Sequence, residues 1–481
     1  MDRQPRLAAF DAVMYGIEGD PVLRSVIIAL LVLDREPDRE LAIDRIERMT
    51  LAVPKFRQRV SGSSWSPTPP RWETDPNFDL SYHLRWHRAP VEDGTLQSAL
   101  TTARRMAEQD FDRARPLWEL TLVSGLPEGK AAVVLKIHHA ITDGMGALQL
   151  AAALFDLERS PDPVATAKPK APKAGQLDPL SRVFQGIQYE SSSLWRGVTA
   201  VATATPGLAY RVIRHPQASA GEALGFAGSA TRVLAPASKP LSPIMTGRSL
   251  SSHLDYVESP FADLRAAAKS QGSTVNDAYV TIVMGALGRY HGEHGVVVDS
   301  LRVNMPINVR PAGDASAGGN AWVPARFPVP VGGADPAVQM RRLGPLLRQA
   351  REEPALALSQ PVYQVLARLP RPVATALAGG LMKGTDFAAT NVPGPPIPVY
   401  FAGAQVERLM PFAPKGGAAV TFALFTYDGI AQIAVNLDLA AIPDPEVFMG
   451  CLRAACDDVL ALGRSPAAPK PKARKAPARR A

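Results

Sequence analysis

Two histidines stand side by side in the run His138-His139-Ala140-Ile141-Thr142-Asp143-Gly144. Imidazole has an ordinary pKa near 6.5, which leaves a useful neutral fraction at physiological pH, so either ring can take a proton from a hydroxyl as a general base. In extended chain, neighbouring side chains leave opposite faces, so the two rings cannot both look into one cleft. One is expected to face a reaction site and the other to pack into the structure. Asp143 stands where a helix N-cap belongs, and Gly144 leaves the helix start uncrowded. The free N–H groups of such a helix start can also receive a developing negative charge.

Other chemistry is less well served. A metal site needs further ligands, but no cysteine lies near the pair and the remaining histidines (His83, His87, His215, His253, His291 and His294) are scattered, so no metal is expected. A pair of buried, hydrogen-bonded histidines with no chemical role is the alternative that the run alone leaves open. No Gly-x-Ser-x-Gly elbow marks a nucleophilic serine. Cys451 and Cys456 lie five residues apart in an expected helix with no charged activator beside them. Gly318-Gly319-Asn320 lacks a following lysine and precedes an expected strand, so it does not read as a phosphate loop.

Alternating elements must hold these residues. In the first half, 25–34, 118–123 and 131–137 are strand-like apolar runs, while 40–51, 96–106 and 144–157 have helical periodicity. The histidine pair thus sits where a strand hands over to a helix. In the second half, helices are expected over 261–270, 275–290 and 445–462, and strands over 301–307, 321–329, 418–427 and 429–437. Between the halves, 161–179 is rich in Pro, Ala and Lys and reads as a linker. An amphipathic helix follows to about residue 201, and 216–246 reads as an irregular crossover. That helix could pack on a domain or lie on a lipid surface. The expected division is 1–160, 161–246, 247–464 and a basic tail, 465–481.

With 481 residues the chain is long enough for two domains, and 46% hydrophobic with 20% charged residues excludes disorder over most of its length. No apolar run reaches the roughly 18–20 residues of a membrane span, and no signal peptide is recognised. Two cysteines cannot form a disulfide framework, which fits a reducing compartment, so a cytoplasmic location is expected. The net charge of +8 falls to +2 without the six cations Lys470, Lys472, Arg474, Lys475, Arg479 and Arg480 of the tail. That tail suits an anionic membrane or lipid-droplet surface, or serves as a solubilising segment. No nucleic-acid-reading motif accompanies it.

The run from His138 to Gly144 resembles the HHxxxDG signature of the CoA-dependent acyltransferase superfamily, which includes chloramphenicol acetyltransferase, peptide-synthetase condensation domains and plant acyltransferases. Further stretches resemble the bacterial wax ester synthase/diacylglycerol acyltransferase family. These are Arg115-Pro116-Leu117-Trp118-Glu119, Ser273-Thr274-Val275-Asn276-Asp277 and Asn391-Val392-Pro393-Gly394-Pro395. Phe56-Arg57-Gln58-Arg59, Trp72 followed by Phe78-Asp79-Leu80 and His83, and Pro306-Ile307-Asn308-Val309-Arg310 follow the family's order, with Asn308 where serine is more usual.

The resemblance covers about residues 8–462. It implies an α/β fold of two chloramphenicol-acetyltransferase-like domains, mixed sheets with packed helices, around a central tunnel. It implies acyl-CoA as a substrate, with no cofactor, and diacylglycerol or a long-chain alcohol as acceptor; the alternatives are another hydroxyl acceptor on the same fold or a non-catalytic, lipid-binding member. His139 is then the base and His138 shapes the site. Asp143 pairs with an arginine, Arg57 or Arg310, unless it is a plain N-cap. Asn276 and Asp277 stabilise the second domain near the cleft or touch substrate, unless they are simply a helix-start pair favoured by the helix dipole. Pro116, Leu117 and Trp118 line the acyl route or simply pack the core.

Overall fold

The computed structural model describes residues 5–62, 68–89, 96–141, 144–160, 239–308, 322–333, 335–352, 363–364 and 366–464. The expected linker, its amphipathic helix, the start of the crossover and the basic tail lie outside the described residues.

The first sheet is organised by three apolar strands: β1 (Val26–Leu33), β5 (Trp118–Ser124) and β6 (Ala131–His138). All eight residues of β6 are buried, which means that both its faces are covered. β6 lies between β1 and β5 and is antiparallel to both. β4 (Leu84–Arg88) closes one edge, parallel to β5. A short ribbon of β2 (Gln58–Ser61) and β3 (Arg71–Thr74) stands apart. Among the described residues, α1 (Ala9–Ile17), α2 (Arg39–Ala52), the single turn α3 (Leu80–His83) and α4 (Gln97–Glu108) accompany this half. α5 (Gly144–Leu154) follows the histidine turn. Asp38 caps α2, its carboxylate accepting from the Leu41 N–H at 2.8 Å.

The second sheet has the order β7 (Ser252–Pro260), β14 (Ile430–Asp438), β13 (Val420–Tyr427), β10 (Phe387–Pro393), β8 (Ser300–Asn308), β9 (Trp322–Pro330). β10 runs parallel to both of its neighbours, and the other pairs are antiparallel. α6 (Phe261–Ser270), α7 (Val275–Glu293), α8 (Pro336–Arg351) and α10 (Pro445–Arg464) supply the helical side of its core. Leu264, Ile282, Met340 and Leu452 pack there with Val303, Phe422 and Val435 of the sheet.

The halves interlock. β11 (Tyr400–Phe401) and β12 (Ala404–Phe412) belong late in the chain, yet β12 pairs with β1 and completes the first sheet. α9 (Arg371–Lys383) packs on α1, and Val13, Ile17, Leu23 and Ala378 share a small core between them. The Glu108 carboxylate accepts from the Ser252 N–H at 2.8 Å, joining α4 to β7.

Tyr427 is a further tie. Its buried hydroxyl donates to the Val406 carbonyl at 2.7 Å and accepts from the Val399 N–H at 2.9 Å. Tyr427→Phe strands both backbone groups away from water. The expected cost is about 1–3 kcal/mol of unfolding free energy, read as a lower urea midpoint at unchanged slope. No described helix is long and apolar enough to cross a membrane.

Candidate active site

His138 ends β6, and its ring is fully buried. Nδ1 accepts from the Ala140 N–H at 3.0 Å, so the ring proton sits on Nε2 and donates to Glu18 Oε1 at 3.0 Å. Tyr15 and Phe111 present ring edges to the imidazole at 5.9 and 6.2 Å between centroids. Glu18 follows the end of α1. Its Oε1 also accepts from the Ser25 N–H at 2.6 Å, and its Oε2 pairs with Arg113 at 2.8 Å. Burial would raise this carboxyl's pKa, but His138, the Ser25 N–H and Arg113 together bring it below the ordinary value. Arg113 in turn lies over the Tyr15 ring at 4.7 Å.

His139 leaves the strand. Its N–H donates to the Ser25 carbonyl at 2.9 Å, and a tight turn closes where the Ile141 N–H donates to the His138 carbonyl at 2.9 Å. One residue, Ser25, thus links the two histidines: its N–H is held by the carboxylate that holds His138, and its carbonyl holds His139. The His139 ring is half-buried, with the Phe10 ring edge 6.2 Å away. Burial, with His138 beside it, pushes its pKa down to about 4. At neutral pH the ring is uncharged and able to take a proton.

The first half's other expected residues gather beside the pair. The Leu117 carbonyl accepts from the His138 N–H at 3.0 Å, so the Pro116-Leu117-Trp118 stretch borders the strand that carries the pair. Leu117 and Trp118 are buried in the first core. Trp118 Nε1 donates to the Phe56 carbonyl at 2.9 Å, and its ring stacks on His83 at 4.6 Å. Phe78 also stacks on His83, at 5.5 Å, and Arg57 lies over Phe78 at 4.5 Å. Arg57 Nε also donates to Thr50 Oγ1 at 2.9 Å. Its expected partner Asp143, and the other candidate Arg310, lie outside the described residues. Gly144 begins α5.

In the second half, Asp277 closes a capping box at the start of α7. Its carboxylate accepts from the Thr274 N–H at 2.8 Å while Thr274 Oγ1 accepts from the Asp277 N–H at 3.2 Å. This is the helix-start role that its position allowed. Asn276 accepts from the Asn391 amide at 3.4 Å, so two of the recognised stretches meet there.

Residues 7–279 match the catalytic domain of wax ester synthases/diacylglycerol acyltransferases, and 318–459 match the C-terminal domain of the same proteins. The chain belongs to this family. It is 36% identical over 461 residues to a Mycobacterium tuberculosis protein named as a diacylglycerol O-acyltransferase, covering 96% of this chain and 93% of that one. The M. tuberculosis protein tgs1, which carries the same enzyme name, is 28% identical over 392 residues, 79% of this chain and 78% of tgs1. The fold is that of the wax ester synthase/diacylglycerol acyltransferase from Marinobacter aquaeolei VT8, with a TM-score of 0.62 at 17% identity over 96% of this chain and all of that one. The first condensation domain of the calcium-dependent antibiotic synthetase shares it too, at a TM-score of 0.54 and 16% identity, with 97% of each chain covered. The expected two-domain α/β acyltransferase architecture is therefore present, and the chain is an acyltransferase.

The residues that anchor the histidines lie outside the family's motifs. Glu18, Ser25, Phe10 and Arg113 carry no recognisable spacing. Glu18 is 120 positions from the ring it holds. The one available signal is an acid at the end of a short apolar helix, Glu18 after Ile17. Taken alone it reads as an ordinary exposed helix end.

Proposed function

We propose that this acyltransferase moves a fatty acyl group from acyl-CoA to a hydroxyl of diacylglycerol or of a long-chain alcohol, with His139 as general base. The observation that carries the reading is the placement of His139 in the tight turn after β6, its N–H held by the Ser25 carbonyl, beside a His138 locked by Glu18. The names of the relatives support the substrate class. The transfer is direct. His139 takes the hydroxyl proton as the oxygen attacks the thioester carbon, the C–S bond breaks, and the proton passes to the departing CoA sulfur. Holding both reactants at one site removes much of the entropic barrier. N–H groups at the start of α5 are suited to stabilise the oxyanion. Asp143 stays in the reading as the partner of an arginine, Arg57 or Arg310, or as a plain N-cap, and the basic tail as a means of resting on a lipid surface. No cofactor is required.

The test is CoA release from palmitoyl-CoA by the purified protein, with dipalmitoylglycerol or hexadecanol as acceptor. Acceptor-dependent release supports the reading and ranks the two products. Absence of release with both acceptors sinks it. The same assay carries a pH prediction. Because His139 remains neutral down to about pH 4, kcat/KM should hold its plateau from pH 7 to pH 5 and halve only near pH 4. A base limb falling from pH 6.5 would show that the ring keeps its ordinary pKa and is not desolvated as described.

A further inference from the structure

The second sheet turns two different faces to the molecule. Leu301, Val303 and Met305 of β8 and Val329 of β9 sink into the helical core, and Ala325 packs with Ala350 of α8. Alternation then sends Arg302, Asn304 and Arg326 out of the opposite face. Toward β7, β14 and β13 that face is sealed onto the first half by Leu254, Ala434, Phe425 and Tyr427. Over β8 and β9 the apolar seal gives way to these polar side chains.

Asn304 and Arg326 are direct partners across the two strands. Asn304 Oδ1 and Arg326 Nε are buried, and neither makes a hydrogen bond. Among the described residues no carboxylate pairs with Arg326; the titratable groups that act on it are the Tyr363 phenol and Arg302, a second cation. The place is close to the histidines. The Phe10 ring lies 6.2 Å from His139 and 4.9 Å from Tyr363, and Tyr363 is the phenol whose ionisation Arg326 influences.

Arg326 is part-buried, with its Nε shut away from water and unpaired; a cation held so without a counter-ion weakens a fold, and the arrangement suits an anion from outside the chain. Of the molecules in the proposed reaction, only CoA carries fixed negative charge. Diacylglycerol, long-chain alcohols, the thioester group and the product esters are neutral. We infer that Arg326 receives a phosphate group of acyl-CoA, with the Asn304 carboxamide oxygen taking a donor on the arm beside it. This rests on acyl-CoA being the donor substrate.

Calorimetric titration with CoA, dephospho-CoA and pantetheine tests it. Wild-type protein should bind CoA far more tightly than pantetheine, and dephospho-CoA shows whether the 3′-phosphate or the diphosphate is held. Arg326→Met should weaken CoA roughly ten- to hundredfold, as expected for losing a charge-assisted contact. It should also lower selectivity for palmitoyl-CoA over the palmitoyl thioester of N-acetylcysteamine, through KM more than kcat. The same substitution should raise the Tm of the ligand-free protein, whereas loss of a merely structural arginine lowers it. Equal CoA affinity in Arg326→Met and wild type overturns the inference while leaving the acyl-CoA reading intact. Should that variant not fold, equal wild-type affinity for CoA and pantetheine overturns it as well. Wild-type protein that binds no CoA sinks both.

Discussion

His139→Ala is expected to lower kcat for acceptor-dependent CoA release by roughly 10²–10⁴-fold, the range of a lost general base. KM for palmitoyl-CoA should change little, because the ring acts on the hydroxyl proton and the departing sulfur and not on the nucleotide. A loss confined to KM would assign His139 to binding and remove it from the proton transfer. Stability supplies an independent reading of the same variant. In the unfolded chain the imidazole titrates near 6.5, but in the fold it stays neutral to about 4. Between those values the unfolded state takes up a proton that the folded state refuses. The stability contribution is therefore complete above pH 6.5 and falls as the pH drops toward 4, by about 3 kcal/mol across the span. His139→Ala removes that slope. Denaturant midpoints from pH 7 to pH 4.5 should fall steeply in the wild type and more gently in the variant, and parallel curves would show that the ring is not held neutral by burial.

Local pattern made part of this legible and geometry kept the rest out of view. The run 131–137 is apolar at nearly every position, so a strand covered on both faces follows from its composition. The histidine pair at its end needs only sequence neighbours to be recognised. Strand alternation likewise foretells that the two rings separate, as His138 does toward Glu18 and His139 toward Phe10. The anchors are different. Glu18 reaches the site by the packing of α1 into the first core and Arg113 from the segment before β5, and no spacing along the chain encodes that meeting. The crossing of β12 into the first sheet is hidden for the same reason. Leu409 meets Leu31 across a ladder whose partners lie hundreds of residues apart, and its alternation would serve either sheet. Trp118 shows a third limit. A motif marks it, but the motif does not reveal the stack on His83 or the bond to the Phe56 carbonyl that hold it in place.

Glu18→Ala should be the most damaging single change away from the reacting atoms. It removes the acceptor of His138 Nε2–H and of the Ser25 N–H, and it leaves Arg113 without its carboxylate. Breaking a buried pair from one side costs about 3–5 kcal/mol. The lower end is expected here, because the Arg113 side chain is 31% exposed and can turn to water. Activity should fall with stability, since the residue that loses its tether, Ser25, also holds the His139 backbone. Glu18→Gln separates the two effects: its amide oxygen can still accept from His138 and Ser25, while the pairing with Arg113 is lost. Activity near wild type in Glu18→Gln, with most of the stability loss retained, identifies Glu18 as a positioning residue that acts through hydrogen-bond geometry. Acid unfolding gives the sign of the charge contribution. The Glu18 carboxyl titrates below its ordinary value of 4.5 in the fold, so its stabilisation is complete above that pH and is lost as the pH falls through the lower, folded value. Glu18→Gln should therefore differ most from wild type at neutral pH and converge with it in acid. A difference that stays constant down to pH 3 would show that the charge of Glu18 contributes nothing and that shape alone holds the histidine turn.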